Sequence, residues 1–424
     1  MKLPAISRFL LIASVGCLAA EPRQTKPATG SAPSDTFPVM MDRFADVQIL
    51  RYRVPGFEDL STKQKELAYY LYEAALSGRD IFYDQNDKHN LLVRKTLETI
   101  LTTFKGSKET EDYKKFVTHA KRFFFANGIH HHYSNLKMLP EFSSDYFKQL
   151  LAQSDAGKLP LEGRSVEELA QLLQPILFDP KIEAKLVDLS AGIDNVKASS
   201  VNFYEGVTQK EVEDFYAKLA KPGVKNEPSW GLNSKVIKEQ GEVREKVWKL
   251  GGMYGPAIER IVYWLEKASA VAENEAQRQT LQSLIRYYRN GDLAEFDRYS
   301  ILWVKDTESR LDVVNGFIEV YHDPLQKKGS FESVVSMKDV EATKRIAAIS
   351  KEAQWFENQS PIMEPHKKKN VTGISAKVIT VIVESGDSAP TTPIGINLPN
   401  AEWIREQHGS KSVSLGNIVA GYNY

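Results

Sequence analysis

The chain has 424 residues with 55 basic and 55 acidic side chains, so its formal net charge is zero. This balance argues against a dedicated nucleic-acid binder, which needs a basic surface to displace counterions from phosphates. An apolar fraction of 42% allows a large core, and at roughly 100–200 residues per domain the length predicts two or three lobes. The body has no apolar run of the ~18 residues that a membrane span needs. A single cysteine excludes an intramolecular disulfide and a cysteine-based zinc cluster.

The first twenty residues have the composition of an export signal. Met1–Lys2 and Arg8 supply positive charge, and Phe9–Ala20 is an apolar run of signal-peptide length. The only cysteine, Cys17, follows Ser14-Val15-Gly16, which resembles a lipoprotein cleavage site, although leucine is usual where Ser14 stands. We therefore expect Cys17 to be lipidated and to become the mature N-terminus.

The rival interpretation is ordinary signal cleavage after Ala19 or Ala20. In either case residues 21–40 are expected to be a flexible tether, because Glu21–Asp35 is rich in Pro, Ser, Thr and Gly. The predicted location is the cell envelope, either periplasmic or membrane-anchored through a lipid. It is the cytoplasm if the signal is not used.

The folded body is predicted to be mostly helical. Capping-box patterns Ser61-x-x-Gln64, Ser165-x-x-Glu168 and Thr208-x-x-Glu211 each precede a helical apolar stripe. On the helix that contains Tyr113 and Phe116, His119 falls on the polar side and is expected to be exposed. Further stripes with helical spacing occupy 97–104 and 281–288.

One segment differs in kind from these stripes. Ala376–Glu384 is dense in β-branched residues and too short for a typical helix, which predicts a strand. The Gly- and Pro-containing segment Ser385–Gly395 that follows predicts a stiff, irregular loop.

The eight histidines offer no familiar zinc element, because no pair has i, i+4 spacing on a plausible helix. The cluster is His130-His131-His132, and in an extended segment only His130 and His132 share a face. A metal-binding role, a place in the lining of a polar cleft and an ordinary hydrogen-bonded surface all remain open for it. There is also no Gly-rich phosphate loop and no G-x-S-x-G elbow.

Five segments in chain order match one family: Arg43–Val47, Asn127–Tyr133, Gly316–Pro324, Thr392–Asn400 and Gly409–Asn417. Together they resemble the dipeptidyl peptidase III family of zinc exopeptidases, most closely its bacterial type. The resemblance runs from about Asp42 to Tyr424.

The resemblance implies an α+β fold with two lobes around a cleft, mostly helical, with a small β-barrel in the lower lobe. Residues 41–332 and 381–424 would belong to the lower lobe, and 333–380 would be an excursion into the upper lobe. The upper, zinc-bearing lobe would be largely missing from the chain. Family members release dipeptides from the free N-terminus of short peptides. Short peptides are therefore the expected partners of this protein.

The resemblance also implies residues that hold the peptide N-terminus. Asn397 and Asn400 match two asparagines in that role, on a loop stiffened by Pro399, and loop capping is the alternative role for both. Asp312 falls where family members carry an acidic residue for the ammonium group, although a surface carboxylate is an equally simple interpretation. Val314 stands where some relatives have a tyrosine.

Three further residues complete the predicted substrate site. Glu319 is expected to be a second cleft carboxylate, and His132 and Tyr133 belong to the segment that matches the bacterial type.

The family's zinc ligands are the remaining expectation. They come from a His-Glu-x-x-Gly-His element and a later Glu-Glu element, and neither is present in these 424 residues. The chain is therefore expected to be the N-terminal part of a zinc peptidase and to be inactive alone, since no catalytic residue and no metal ligand is identified in it. A non-catalytic peptide-binding lipoprotein and an unrelated helical capture lipoprotein are the alternatives.

Overall fold

The computed structural model describes residues 37–220, 223–224, 226–371 and 374–421. Cys17 and the rest of the predicted signal lie outside these residues, as does most of the predicted tether. The body considered below begins at Val39. None of its described helices is both long enough and apolar enough to cross a membrane.

Helices dominate the described residues and confirm the predicted α+β class. In chain order they are α1 Thr62–Ser77, α2 Arg79–Asn86, α3 Asn90–Thr103, α4 Glu111–Ala126, α5 Ser144–Ala152, α6 Val166–Phe178, α7 Asn195–Ala198, α8 Gln209–Leu219, α9 Gly255–Ala270, α10 Glu275–Asn290, α11 Leu293–Lys305, α12 Val340–Lys351, α13 Ala353–Gln359, α14 Glu402–His408 and α15 Gly416–Gly421, with a short 3-10 helix at Glu364–His366.

The three longest strands belong to one sheet. They are β1 Met40–Phe44, β2 Val47–Leu50, β3 Tyr204–Glu205, β4 Ser234–Glu239, β5 Glu242–Val247, β6 Leu311–Glu319, β7 Ser330–Lys338, β8 Ile374–Gly386, β9 Gly395–Leu398 and β10 Ser410–Leu415.

The helix starts follow the local sequence signals. Ser61, Ser165 and Thr208 each accept a hydrogen bond from the backbone N–H three residues later, and the side chain of that residue bonds back to the cap. These reciprocal bonds satisfy two backbone donors at each helix start. The predicted capping boxes of α1, α6 and α8 are therefore confirmed.

A five-stranded sheet organises the larger core. Its order is β6-β7-β8-β10-β9, with β8 and β10 parallel and the other neighbours antiparallel. The predicted strand 376–384 is confirmed as the centre of β8. The two edge strands, β6 and β9, do not pair with each other, so this sheet is open and the predicted small barrel is not closed. The two-lobed arrangement and the boundaries 332/333 and 380/381 stay predictions.

Two large apolar clusters support the sheet and the helical part. One packs α1, α9, α10 and α11 against the sheet around Trp248, Tyr288, Phe317 and Phe331. The other joins α3 to α6, around residues such as Phe116. The first cluster includes Phe317 of β6 and Leu398 of β9, so it holds both strands in fixed positions.

His119 corrects one expectation. Its side chain is buried rather than exposed and lies edge-on to Phe142, which follows α4 in the chain. Burial lowers the pKa of His119 to about 4, so the ring is neutral at pH 7. The buried face of α4 includes His119 together with Phe116 and Phe123.

Candidate substrate pocket

A pocket of about 560 Å³ opens where β6 and β9 end. Its volume falls in the range of roughly 300–1,000 Å³ that small-molecule and peptide-end sites occupy. Aromatic side chains form much of the wall, together with aliphatic and polar side chains. The aromatic members are Tyr216, Trp230, Phe296, Tyr299, Trp303 and Tyr321.

Glu319 is the central polar group of this pocket. It is the last residue of β6, and its Oε2 accepts a hydrogen bond from Asn400 Nδ2 at 3.2 Å. Tyr321, two residues later and largely exposed, also hydrogen-bonds to this carboxyl group. Among the described residues, no lysine or arginine lies within ion-pair distance of Glu319. Its carboxylate therefore has neutral donors but no counter-charge.

Neighbouring acids strengthen the negative potential around Glu319. Burial raises the pKa of Glu319, and the charge of Asp387 adds to this effect while the Asn400 amide opposes it. Burial, together with Glu319, Asp387 and Glu384, holds the pKa of Glu332 well above its usual range. A bound cation would relieve this repulsion and favour the ionised carboxylates.

Negative side chains outnumber positive ones in the pocket wall. Glu227, Asp297 and Glu319 line the pocket together with one basic residue, Lys327. Burial raises the pKa of Asp297 to about 7, helped by Asp292, so this group is partly ionised at neutral pH. The wall therefore favours a ligand with a positive end and an apolar body.

Asp312, at the other end of β6, is engaged elsewhere. Its Oδ2 pairs with Lys411 Nζ at 2.9 Å, and its Oδ1 accepts the Trp303 Nε1 hydrogen at 2.9 Å. The Lys411 side chain is 1% exposed and lies over the Trp303 ring. Asp312 does not line the pocket but contacts Trp303, which does. In this conformation Asp312 neutralises a buried lysine.

The two predicted asparagines lie in different cavities. Asn400 follows Leu398 and Pro399 along the pocket edge. Asn397 belongs to β9, where consecutive side chains point to opposite faces, and it lines a second cavity that also contains Arg405. Of the predicted residues, the structure brings Asn400 and Glu319 together, and Asn397 and Asp312 lie apart from them.

The histidine segment forms a separate turn. The buried His130 bonds through Nε2 to the Glu183 carbonyl at 2.7 Å, and burial lowers its pKa to about 4. His131 pairs with Asp46 at 2.9 Å and stacks on His132, whose pKa burial lowers to about 4. Tyr133 is 70% exposed. His132 and Tyr133 do not line the pocket of Glu319.

A zinc ion of the kind that the resemblance implies needs several His, Asp or Glu side chains close together. Within that part of the chain, one set of three His, Asp or Glu residues is close enough to share an ion: Asp87, His89 and Glu183. A catalytic zinc keeps one position open to water and substrate. Asp87 is fully buried and none of the three lines the pocket, so this set does not fit a catalytic zinc.

Sequence reasoning missed three residues that shape the site. Tyr321 stands inside the quoted segment Gly316–Pro324, two positions after Glu319, so alternation along an extended chain could have found it. Trp303 and Lys411 gave no signal, because their roles depend on Asp312 being brought to them by the fold.

Comparison with known proteins gives the family. The family model described as "Peptidase family M49" matches residues 191–423, which is more than half of the chain. The chain is 25% identical to the dipeptidyl peptidase 3 of Rattus norvegicus over 73% of this chain and 44% of the rat protein. It is 23% identical to that of Nematostella vectensis over 89% of this chain and 56% of the relative. The chain thus spans about half the length of the curated relatives it matches.

Solved structures agree on the fold. DPP III from Caldithrix abyssi matches with a TM-score of 0.61 and 19% identity, over 87% of this chain and 57% of that one. Dipeptidyl-peptidase III from Corallococcus sp. strain EGB matches with a TM-score of 0.60 and 20% identity, over 87% and 56%. With the match over residues 191–423, these findings show that the chain belongs to peptidase family M49.

Proposed function

We propose that this chain supplies the substrate-recognition part of a zinc-dependent dipeptidyl peptidase, and that Glu319 receives the free N-terminal ammonium of a short peptide. One observation carries the proposal: Glu319 is a half-buried carboxylate in an aromatic-walled pocket, with neutral hydrogen-bond donors and no cationic partner among the described residues. An ammonium group supplies the missing charge through a charge-assisted hydrogen bond.

A carboxylate that can bind the charged end of a peptide supports an exopeptidase rather than an endopeptidase. An enzyme that removes dipeptides must measure a fixed distance from the peptide's charged end. Glu319 and Asn400 would fix that end, and aromatic residues such as Trp230 and Phe296 would hold the first side chains. The scissile bond would then follow the second residue of the peptide, counted from the end that Glu319 binds. Asn397, Asp312, His132 and Tyr133 would enter this site only if substrate or the rest of the enzyme rearranges the surface around them.

Hydrolysis is the part that the described residues do not supply. In the zinc peptidase, the metal would polarise the scissile carbonyl and activate a water molecule. The residues described here bind and orient the peptide, and none of their donor sets fits that metal. Mass spectrometry of short peptides incubated with the chain would detect any dipeptide release directly.

Recognition of the free N-terminus is tested by a matched pair of peptides. A short peptide and its N-acetyl form differ in charge at one atom. We expect the free peptide to bind at least tenfold more tightly by calorimetry, because a charge-assisted hydrogen bond contributes about 1.5–3 kcal/mol. Glu319→Gln is the control and should bind both peptides alike. Equal affinity of the parent chain for the two peptides would refute the role of Glu319.

Placement at the cell envelope is a separate part of the proposal. It rests on the export-signal composition of residues 1–20 and on Cys17. Expression with a labelled fatty acid should label the parent protein and leave Cys17→Ala unlabelled. Labelling that persists in Cys17→Ala would contradict lipidation at this residue, and absence of label in both would favour ordinary cleavage.

A further inference from the structure

A compact donor set lies between two helices and a distant loop. Asp87 caps the C-terminus of α2, and His89 precedes the first residue of α3. Glu183 comes from the loop after α6, almost a hundred residues later. One ligand atom from each of the three lies within 4.8 Å of those from the other two.

Backbone contacts hold the three residues in place. Asp87 Oδ1 accepts the His89 backbone N–H at 2.7 Å, and His89 Nε2 lies 3.5 Å from Glu183 Oε1. Glu183 has a left-handed φ of +49°, and its carbonyl accepts the hydrogen bond from His130. A non-glycine residue is uncommon in this conformation and is kept there by its surroundings. The donor set is thus largely organised before any ligand arrives.

The set has buried oxygens without partners. Asp87 is fully buried, and among the described residues neither its Oδ2 nor Glu183 Oε2 has a hydrogen-bond donor. A buried carboxylate oxygen left unsatisfied costs roughly 1–3 kcal/mol or more, and two such groups in contact also repel each other. Burial, with the charge of Glu183, holds the pKa of Asp87 well above its usual range. The arrangement therefore needs a positive species between the two acids.

Nearby lysines do not meet this need. Lys137 Nζ donates to the backbone carbonyls of Asp179, at 3.0 Å, and Ile182, rather than to either carboxylate. Lys88, between Asp87 and His89, is exposed. Burial lowers the pKa of His89 and so favours the neutral ring, which is the form that binds metals.

We propose that Asp87, His89 and Glu183 bind a divalent transition-metal ion, preferentially Zn²⁺, that fastens the α2–α3 turn to the loop containing Glu183. Two carboxylate oxygens and one imidazole nitrogen are a ligand set suited to zinc, with water completing the coordination. Ca²⁺ would need six to eight oxygen ligands, and Mg²⁺ prefers to keep several waters. The ion's role is structural and independent of peptide binding, because none of its ligands lines the pocket.

The test is metal binding to the full chain after treatment with a chelator. We expect calorimetry in a weakly coordinating buffer to give one tight Zn²⁺ site, a weaker Mn²⁺ site and no saturable Mg²⁺ or Ca²⁺ binding. Zn²⁺ should also raise the melting temperature, because it binds the folded state. Glu183→Gln and His89→Ala should each weaken Zn²⁺ binding by at least about tenfold, since even outer-shell changes cost about 10–100-fold.

Controls separate this site from its rivals. Glu183→Gln keeps the side chain's size, and its melting temperature in chelator should equal or exceed that of the parent, which shows that the variant folds. His131→Ala combined with His132→Ala removes the stacked pair of imidazoles outside the proposed site and should leave Zn²⁺ binding intact. Zn²⁺ binding that survives Glu183→Gln would overturn the proposal. So would the absence of any saturable Zn²⁺ binding, which would assign the positive species to a proton shared by the two carboxyl groups.

Discussion

The two ends of strand β6 carry carboxylates that differ in whether a cationic side chain pairs with them. Asp312, near the start, meets a lysine and an indole supplied by the fold itself. Glu319, at the end, meets an amide and a phenol but no cation among the described residues. Seven residues therefore separate a structural ion pair from a group that can receive a ligand's positive charge. The comparison teaches that a carboxylate's role depends on whether the fold has already supplied its counter-charge.

The largest expected effect comes from breaking the completed pair. Asp312→Asn leaves the ammonium of Lys411, whose side chain is 1% exposed, without its counter-charge. Removing one member of a buried ion pair typically costs about 3–5 kcal/mol. We expect the free energy of unfolding, measured in urea, to fall by about 3 kcal/mol. Because Asp312 does not line the pocket and contacts its wall through Trp303, peptide affinity should change little once the variant is folded.

The matching control removes both charges at this site. Asp312→Leu combined with Lys411→Met should recover much of the lost stability, because no unpaired charge stays buried. A folded Asp312→Asn that keeps parental stability but loses peptide binding would instead place Asp312 in substrate recognition, as the family resemblance implies.

Glu319→Gln should lose peptide affinity and keep stability, which is the reverse of what we expect for Asp312→Asn. Peptide binding should weaken by about 1.5–3 kcal/mol, because the charge-assisted bond to the ammonium is lost. The raised pKa of Glu319 means that folding disfavours its ionised form, so its contribution to stability is complete at low pH and is lost as pH rises through the folded-state pKa. At pH 7 the variant should therefore be as stable as the parent or more stable. A clear loss of stability in thermal unfolding would show that Glu319 has a structural counter-charge.

The pH dependence of binding sharpens the same contrast. Burial raises the pKa of Glu319, so affinity for a free peptide should fall as pH drops through that raised value and the carboxyl group becomes protonated. Affinity should fall again at high pH as the peptide's amino group, with a pKa near 8, loses its charge. Calorimetry from pH 4 to pH 9 should give this bell-shaped profile, and Glu319→Gln should lose the acid limb. An acid limb that persists in the variant would assign it to another group.

Local signals and distant partners were not equally predictable. Ser61, Ser165 and Thr208 begin helices through bonds that span three residues, so the sequence alone contains both partners. The β-branched run inside β8 was equally local. Asp312 meets Lys411 across 99 residues, and no spacing rule connects them. His119 was placed wrongly because its burial depends on Phe142, which lies beyond the helix.

The smallest expected effect separates the two asparagines. Asn400 donates to Glu319 at the pocket edge, whereas Asn397 faces the cavity of Arg405. Asn400→Ala should weaken free-peptide binding by about 1 kcal/mol, the usual net value of one hydrogen bond, and Asn397→Ala by less than half of that. Calorimetry with one peptide and both variants gives this difference without depending on absolute affinity. Equal losses would mean that both amides contact the peptide, which is the role that the family resemblance implies for them. The segment containing β9 would then have to rotate when the peptide binds. Asn400 would then no longer be distinguished from Asn397 by its contact with Glu319.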